Sequence, residues 1–63
     1  MGNIERARLA ARLVLTATDD DPNTVMLTVA SLVHHLVKRM DTPLEQTVNH
    51  LCELVAAIDR SHH

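Results

Sequence analysis

Histidine, cysteine and serine are the side chains of this chain that could do chemistry, and their spacing restricts what they could do. The 63 residues include five histidines and one cysteine. His34 and His35 are adjacent, so on a helix they point about 100° apart and cannot readily bind one metal ion together. Zinc needs three or four convergent ligands, whereas His50 and Glu53 form only a pair. We therefore expect no cofactor and no metal site within one chain, which leaves a site shared by two chains as the alternative.

Ser31 and His35 lie four residues apart and could meet on one helix face. A nucleophilic serine needs a base that a third group orients, and donors that stabilise an oxyanion. No carboxylate shares that face, and the only glycine is Gly2, so no glycine-rich loop can bind phosphate. Cys52 has no cation near it on its helix, which predicts a small interior side chain and not a reactive thiol. We expect that the protein is not an enzyme.

Three helices are predicted to position these side chains. Asp21 before Pro22 is typical of an N-cap followed by the first helical residue. Residues 42–45 read TPLE, which has the pattern of a capping box with Thr42 as the N-cap. Asn3 is a third possible N-cap. The predicted helices cover about residues 3–17, 22–40 and 43–60, and residues 61–63 should fray.

Length and composition indicate one small all-α domain covering residues 1–63. The net charge is −2, and Phe, Trp and Tyr are absent, so the interior must be built from aliphatic side chains and methionine. The core of so small a domain rarely contributes more than about 3–5 kcal/mol, and one cysteine cannot form an internal disulfide. We expect a compact three-helix domain that assembles as a homodimeric helical bundle.

The expected location is cytoplasmic, without membrane contact. The N-terminal segment carries charges where a secretory signal would be apolar. No apolar run approaches the roughly 18 residues that predict a membrane span.

Apolar side chains on the first two predicted helices cover wider arcs than one short chain can bury. On the second helix they span about 160°, whereas a helix resting on one neighbour needs about 100°. The third helix is narrower, with apolar residues at a spacing of 4-3-4-3. Its apolar residues are Leu44, Val48, Leu51, Val55 and Ile58. The apolar surface of the first two helices that one chain cannot bury predicts a dimer interface. Its residues are Leu9, Leu13, Val14, Met26, Val33 and Val37.

The polar side of the second predicted helix is the best candidate for binding another protein. It combines two cations with two histidines, which change charge between about pH 5 and 8. The alternative is that it is an ordinary solvated face. The candidate residues are Ser31, His34, His35, Lys38 and Arg39.

Residues 36–48 read LVKRMDTPLEQTV and resemble the turn of a helix-turn-helix DNA-binding domain. In that family a helix ending in basic residues meets a short turn and then a recognition helix. The resemblance implies a transcriptional regulator whose third helix contacts DNA. However, Asp41 stands near the usual glycine of the turn, and no Lys or Arg precedes Arg60 in the third helix. Phosphate contacts need cations, so nucleic acid is a possible but disfavoured partner.

By elimination, the sequence favours a small module that binds an unidentified protein partner, as a regulator, adaptor or inhibitor. The alternative is a helix-turn-helix regulator that binds DNA.

Overall fold

The structure is a computed structural model that describes residues 2–61. Three helices are present and no strand occurs among these residues, which confirms the predicted all-helical class. The expected fraying of residues 61–63 stays a prediction. The Ser61 hydroxyl donates to the Ile58 carbonyl at 2.9 Å, and His62 and His63 lie outside the described residues. The helices are α1, Asn3–Ala17; α2, Pro22–Met40; and α3, Leu44–Arg60.

The N-cap of α1 is Gly2, so the prediction of Asn3 was wrong by one residue. Gly2 has an extended backbone and its carbonyl accepts the amide of Arg6 at 3.1 Å. No side chain caps this end of the helix. Asn3 is instead the first helical residue, where its side chain cannot act as an N-cap.

The end of α1 is a Schellman turn built with aspartates. The amide of Asp20 donates to the Leu15 carbonyl at 2.8 Å, and that of Asp19 donates to the Thr16 carbonyl at 3.3 Å. Asp19 has φ 54° and Asp20 has φ 53°, in the left-handed region that glycine usually occupies at this position. The Val14 carbonyl accepts both the Thr18 amide at 2.9 Å and the Thr18 hydroxyl at 2.7 Å.

Asp21 is the N-cap of α2, as predicted. One carboxylate oxygen accepts the Thr24 amide at 3.0 Å and the Thr24 hydroxyl at 2.7 Å. Both bonds favour the charged carboxylate, the hydroxyl bond more strongly, and together they hold the pKa of Asp21 below its ordinary value of 3.8. Pro22 is therefore the first helical residue, where its missing amide hydrogen costs nothing.

The predicted capping box before α3 does not form. The helix begins at Leu44, and its N-cap is Pro43, whose carbonyl accepts the Thr47 amide at 3.2 Å. Thr42 lies one residue too far from the helix to cap it. Its hydroxyl instead lies 2.9 Å from the Thr47 hydroxyl.

The chain divides into two units, residues 1–30 and 31–63, so α2 contributes its first half to one and its second half to the other. No described residue is buried in either unit. The half-buried residues of the first unit are Val14, Thr18, Val25 and Thr28. Those of the second unit are Val33, Leu36, Val37, Thr42, Thr47 and Leu51.

No helix of residues 2–61 combines the length and the hydropathy that a membrane span requires.

Candidate protein-binding surface

The candidate residues of α2 form one continuous surface, which we call the basic face. It consists of Ser31, His34, His35, Lys38 and Arg39, and every one of these residues is exposed. Their spacing of three and four residues covers an arc of about 140° at about 100° per residue. All five belong to the second unit, so α2 alone fixes their relative positions.

The end of α2 concentrates positive charge. Lys38 and Arg39 lie in the last turn, where the partial negative charge of the helix C-terminus stabilises cations. No acidic residue occurs anywhere in α2. The chain leaves the helix through Asp41, whose φ of 52° is in the left-handed region. The turn thus ends the helix directly after the cations.

The charged side chains of the basic face are available to a ligand. Within residues 2–61, Lys38 and Arg39 form no ion pair and no side-chain hydrogen bond, and the same holds for His34 and His35. Binding a carboxylate there would not require an existing pair to break. The face can therefore supply charge-assisted hydrogen bonds to an acidic partner.

Apolar side chains border the basic face at its C-terminal end. Met40 is exposed and Val37 is half-buried. Interfaces between proteins commonly join such apolar contacts to a polar rim in which arginine is enriched. The surface therefore has the mixed chemistry of a protein contact.

A second polar surface lies on α3 and differs in charge. His50 Nδ1 lies 3.8 Å from Glu53 Oε2, with both side chains largely exposed. An exposed pair of this kind contributes little to stability. An open depression on this side is lined by Pro43, Glu45, Gln46, Asn49, His50 and Glu53. It has two carboxylates and no Lys or Arg, so it suits a cationic ligand more than an anionic one.

The residues predicted for the dimer interface fall into two groups. Leu9, Leu13 and Met26 are exposed, with Leu13 at 71% and Met26 at 72%, and all three belong to the first unit. The remaining three, Val14, Val33 and Val37, are half-buried. The first group therefore leaves more surface for a second chain to cover.

Cys52 is an exposed free thiol, which corrects the expectation that it fills the interior. A signal for this was present in the sequence. Cys52 is seven residues from both Glu45 and Asp59, so all three share one stripe of the helix. Two exposed acidic residues on that stripe indicate a polar border and not an interior position.

Groups that could hold a metal ion, meaning three or more His, Cys, Asp or Glu side chains, do not occur among residues 2–61. The pair of His50 and Glu53 remains a pair in the structure.

Comparisons with protein families, with curated proteins and with solved structures found no match to this chain.

Proposed function

We propose that this protein is a small non-enzymatic module that binds proteins, first a second copy of itself and then a partner of another kind. One observation carries the proposal. No described residue is buried, whereas fourteen large apolar side chains are exposed. Large apolar patches on monomeric soluble proteins are rare and commonly mark protein contacts.

The accessible surface supports this proposal quantitatively. The chain exposes 5753 Å², whereas a folded monomer of this mass exposes about 4,000 Å². The excess is about 1,700 Å², and a stable interface needs about 800 Å² from each partner. The chain therefore has enough surface for two interfaces of ordinary size.

We place the contact between copies on the first unit, around Leu9, Leu13 and Met26. Leu9 and Leu13 are one helical turn apart, so one apolar surface can cover both. Light scattering should give twice the 7.0 kDa chain mass at micromolar concentration. Leu13→Glu should weaken this association, whereas Arg12→Glu on the neighbouring polar side should not. A strict monomer at millimolar concentration would refute the dimer.

The basic face of α2 is the proposed site for the second partner. Its cations lie at the end of a helix and its polar groups meet apolar side chains. Because Lys38 and Arg39 carry the positive charge, the partner should present carboxylates or amide carbonyls there.

A matched pair of double variants tests this site once a partner has been captured and identified. His35→Ala with Arg39→Glu changes the basic face and should lower partner affinity at least tenfold, which is about 1.4 kcal/mol. His50→Ala with Arg60→Glu makes the same chemical changes on α3 and should leave affinity within about twofold. Both pairs are exposed, so folding should be retained. Equal losses from the two pairs would place the site elsewhere.

A helix-turn-helix regulator is the second candidate, and the turn after α2 favours it. Only three residues, Asp41 to Pro43, separate α2 from α3, the usual length in that motif. Asp41 adopts the left-handed conformation in which the motif often has glycine. The charges of α3 oppose this candidate, because Glu45 and Glu53 would approach phosphates.

Binding to DNA itself separates the two candidates, since the ionic contacts proposed for Lys38 and Arg39 would also weaken as salt rises. DNA binding through cations weakens steeply as salt rises, because binding releases counterions from the DNA. Fluorescence anisotropy with random-sequence duplex DNA at 50 and 200 mM salt should show no binding. Tight binding at low salt that is lost at high salt would favour the DNA-binding candidate.

A further inference from the structure

The apolar side of α3 is regular in spacing and open to solvent. Leu44, Val48, Leu51, Val55 and Ile58 follow a 4-3-4-3 spacing, which is the a/d pattern of a two-helix seam. We call these five residues the α3 seam. Leu51 is half-buried, whereas the other four are exposed, with Val55 at 64%. The centre of the seam is therefore partly covered within the chain, and both ends are uncovered.

We propose that the α3 seam packs in parallel against the α3 seam of a second copy of this chain. The 4-3-4-3 order assigns Val48 and Val55 to a positions. Leu44, Leu51 and Ile58 then occupy d positions. In parallel assemblies, valine at a with leucine at d favours two strands over three or four. Val48, Leu51 and Val55 fit this rule, whereas Ile58 at a d position departs from it.

Charge at the border of the seam supports the parallel arrangement. Glu45, Cys52 and Asp59 occupy the e positions, and Thr47 and Leu54 the g positions. In an antiparallel pair e positions face each other, so Glu45 of one chain would approach Asp59 of the other. In a parallel pair e positions face g positions, so these carboxylates meet no like charge.

The total accessible surface is large enough to include an interface at the seam. The accessible surface exceeds that of a folded monomer by about 1,700 Å², roughly twice what one partner contributes to a standard interface. The α3 seam has about two and a half heptads, fewer than the three or four of an independent coiled coil. A seam of this length needs further contacts between the two chains, so the inference rests on the proposed dimer.

Two glutamate variants test whether the seam is an interface. Val55→Glu places a charge in the seam, and Ala56→Glu places the same charge about 100° away on the same helix. Both positions are exposed, and glutamate is a good helix former, so helical circular dichroism should be retained. Val55→Glu should raise the dimer dissociation constant at least tenfold in analytical ultracentrifugation, whereas Ala56→Glu should change it less than twofold.

Disulfide trapping tests the orientation. In a background of Cys52→Ser, Val55→Cys and Ala56→Cys each provide a single thiol per chain. A parallel seam brings equal positions together, within the Cα separation of about 4.4–6.8 Å that a disulfide needs. Air oxidation should give a covalent dimer with Val55→Cys and little with Ala56→Cys. Covalent dimer from neither variant, or equally from both, would overturn the parallel seam.

The outcomes distinguish this inference from the proposed dimer. If Leu13→Glu dissociates the dimer and Val55→Glu does not, the dimer stands and the α3 seam is refuted. If the unmodified chain is a monomer at millimolar concentration, both are refuted. Loss of the dimer in Val55→Glu, with retention in Ala56→Glu, supports the seam.

Discussion

The starts of α2 and α3 have similar sequences but different N-caps. Each is preceded by a polar residue followed by proline, Asp21 before Pro22 and Thr42 before Pro43. Asp21 bonds to the backbone amide and hydroxyl of Thr24. Thr42 bonds to another side chain, and Pro43 takes the capping position. A polar residue before proline is therefore not sufficient for a side-chain cap, because the helix must also begin at that proline.

The two turns that precede these helices also differ. Residues 18–21 contain the Schellman turn, in which Asp19 and Asp20 are left-handed, and α2 begins immediately afterwards. Residues 41–43 contain one left-handed residue, Asp41, followed by Thr42 and Pro43. The second turn places proline one residue before the helix, in an extended conformation with ψ 143°. This difference in backbone accounts for the different roles of the two polar residues.

The largest expected effect in this comparison is that of removing the cap of α2. Asp21→Ala leaves the Thr24 amide at the helix end without its acceptor, and also removes the acceptor for the Thr24 hydroxyl. The loss of unfolding free energy should exceed that of any other single change in the two turns. Urea titration followed by circular dichroism measures it. A smaller loss than that of Thr42→Ala would contradict the comparison.

Thr42→Ala should have a smaller effect, because it removes one bond between two partly buried hydroxyls and no cap. The expected cost is about 0.5–1.5 kcal/mol. A double-mutant cycle with Thr47→Ala should show coupling, whereas a cycle with Glu45→Ala should show none. Coupling to Glu45 and none to Thr47 would restore the capping box. Gln46→Ala, at an exposed position, should cost less than about 0.5 kcal/mol and serves as the control.

The helix bounds differ in how far the sequence could predict them. The bounds of α1 and α2 follow from periodicity together with strong breaking signals at Asp21, Asp41 and Pro43, and the structure agrees. The start of α3 depended on which residue carries the helical backbone, and the letters TPLE fit either Pro43 or Leu44. The local sequence pattern does not determine whether α3 begins at Pro43 or at Leu44. The start at Leu44 goes with the Thr42–Thr47 bond, which the letters TPLE do not indicate.

The candidate surfaces were predictable to different degrees. A helix of 3.6 residues per turn places Ser31, His35 and Lys38 on one side wherever α2 packs, so their exposure followed from periodicity. The partial burial of Val33 and Val37 depends on which neighbouring residues cover them. Periodicity does not identify those neighbours. The sequence showed the 4-3-4-3 spacing of the α3 seam but could not predict its exposure, because such a stripe is usual for a helix that packs within its own chain.

A gain in stability is expected where aspartate occupies glycine's conformation. Asp19→Gly and Asp41→Gly remove the cost of a left-handed L-residue, and each should stabilise the chain by up to about 1 kcal/mol. Asp19→Ala keeps a side chain in that conformation and should destabilise it. Thermal melts of the three variants measure these effects. Stabilisation by alanine equal to that by glycine would show that Asp19 is unfavourable for its charge and not for its backbone.

The smallest expected effect is a pH dependence confined to the cap of α2. Hydrogen bonds from Thr24 lower the pKa of Asp21 below 3.8 in the folded chain. The folded state therefore binds the proton less tightly than the unfolded state does. The resulting stability is fully present above pH 3.8 and is lost as the pH falls through the lower folded value.

Asp21→Asn isolates this contribution, since asparagine is also a good N-cap and does not titrate. The stability difference between the unmodified chain and Asp21→Asn should be constant from pH 7 to about pH 5, and should shift against the unmodified chain as the pH falls below 3.8. The two proteins differ only at position 21, so the difference between them isolates the contribution of this carboxylate. Urea titrations at matched pH provide the measurement. A difference that moves in favour of the unmodified chain on acidification would mean that protonated Asp21 is the better cap, contrary to the lowered pKa.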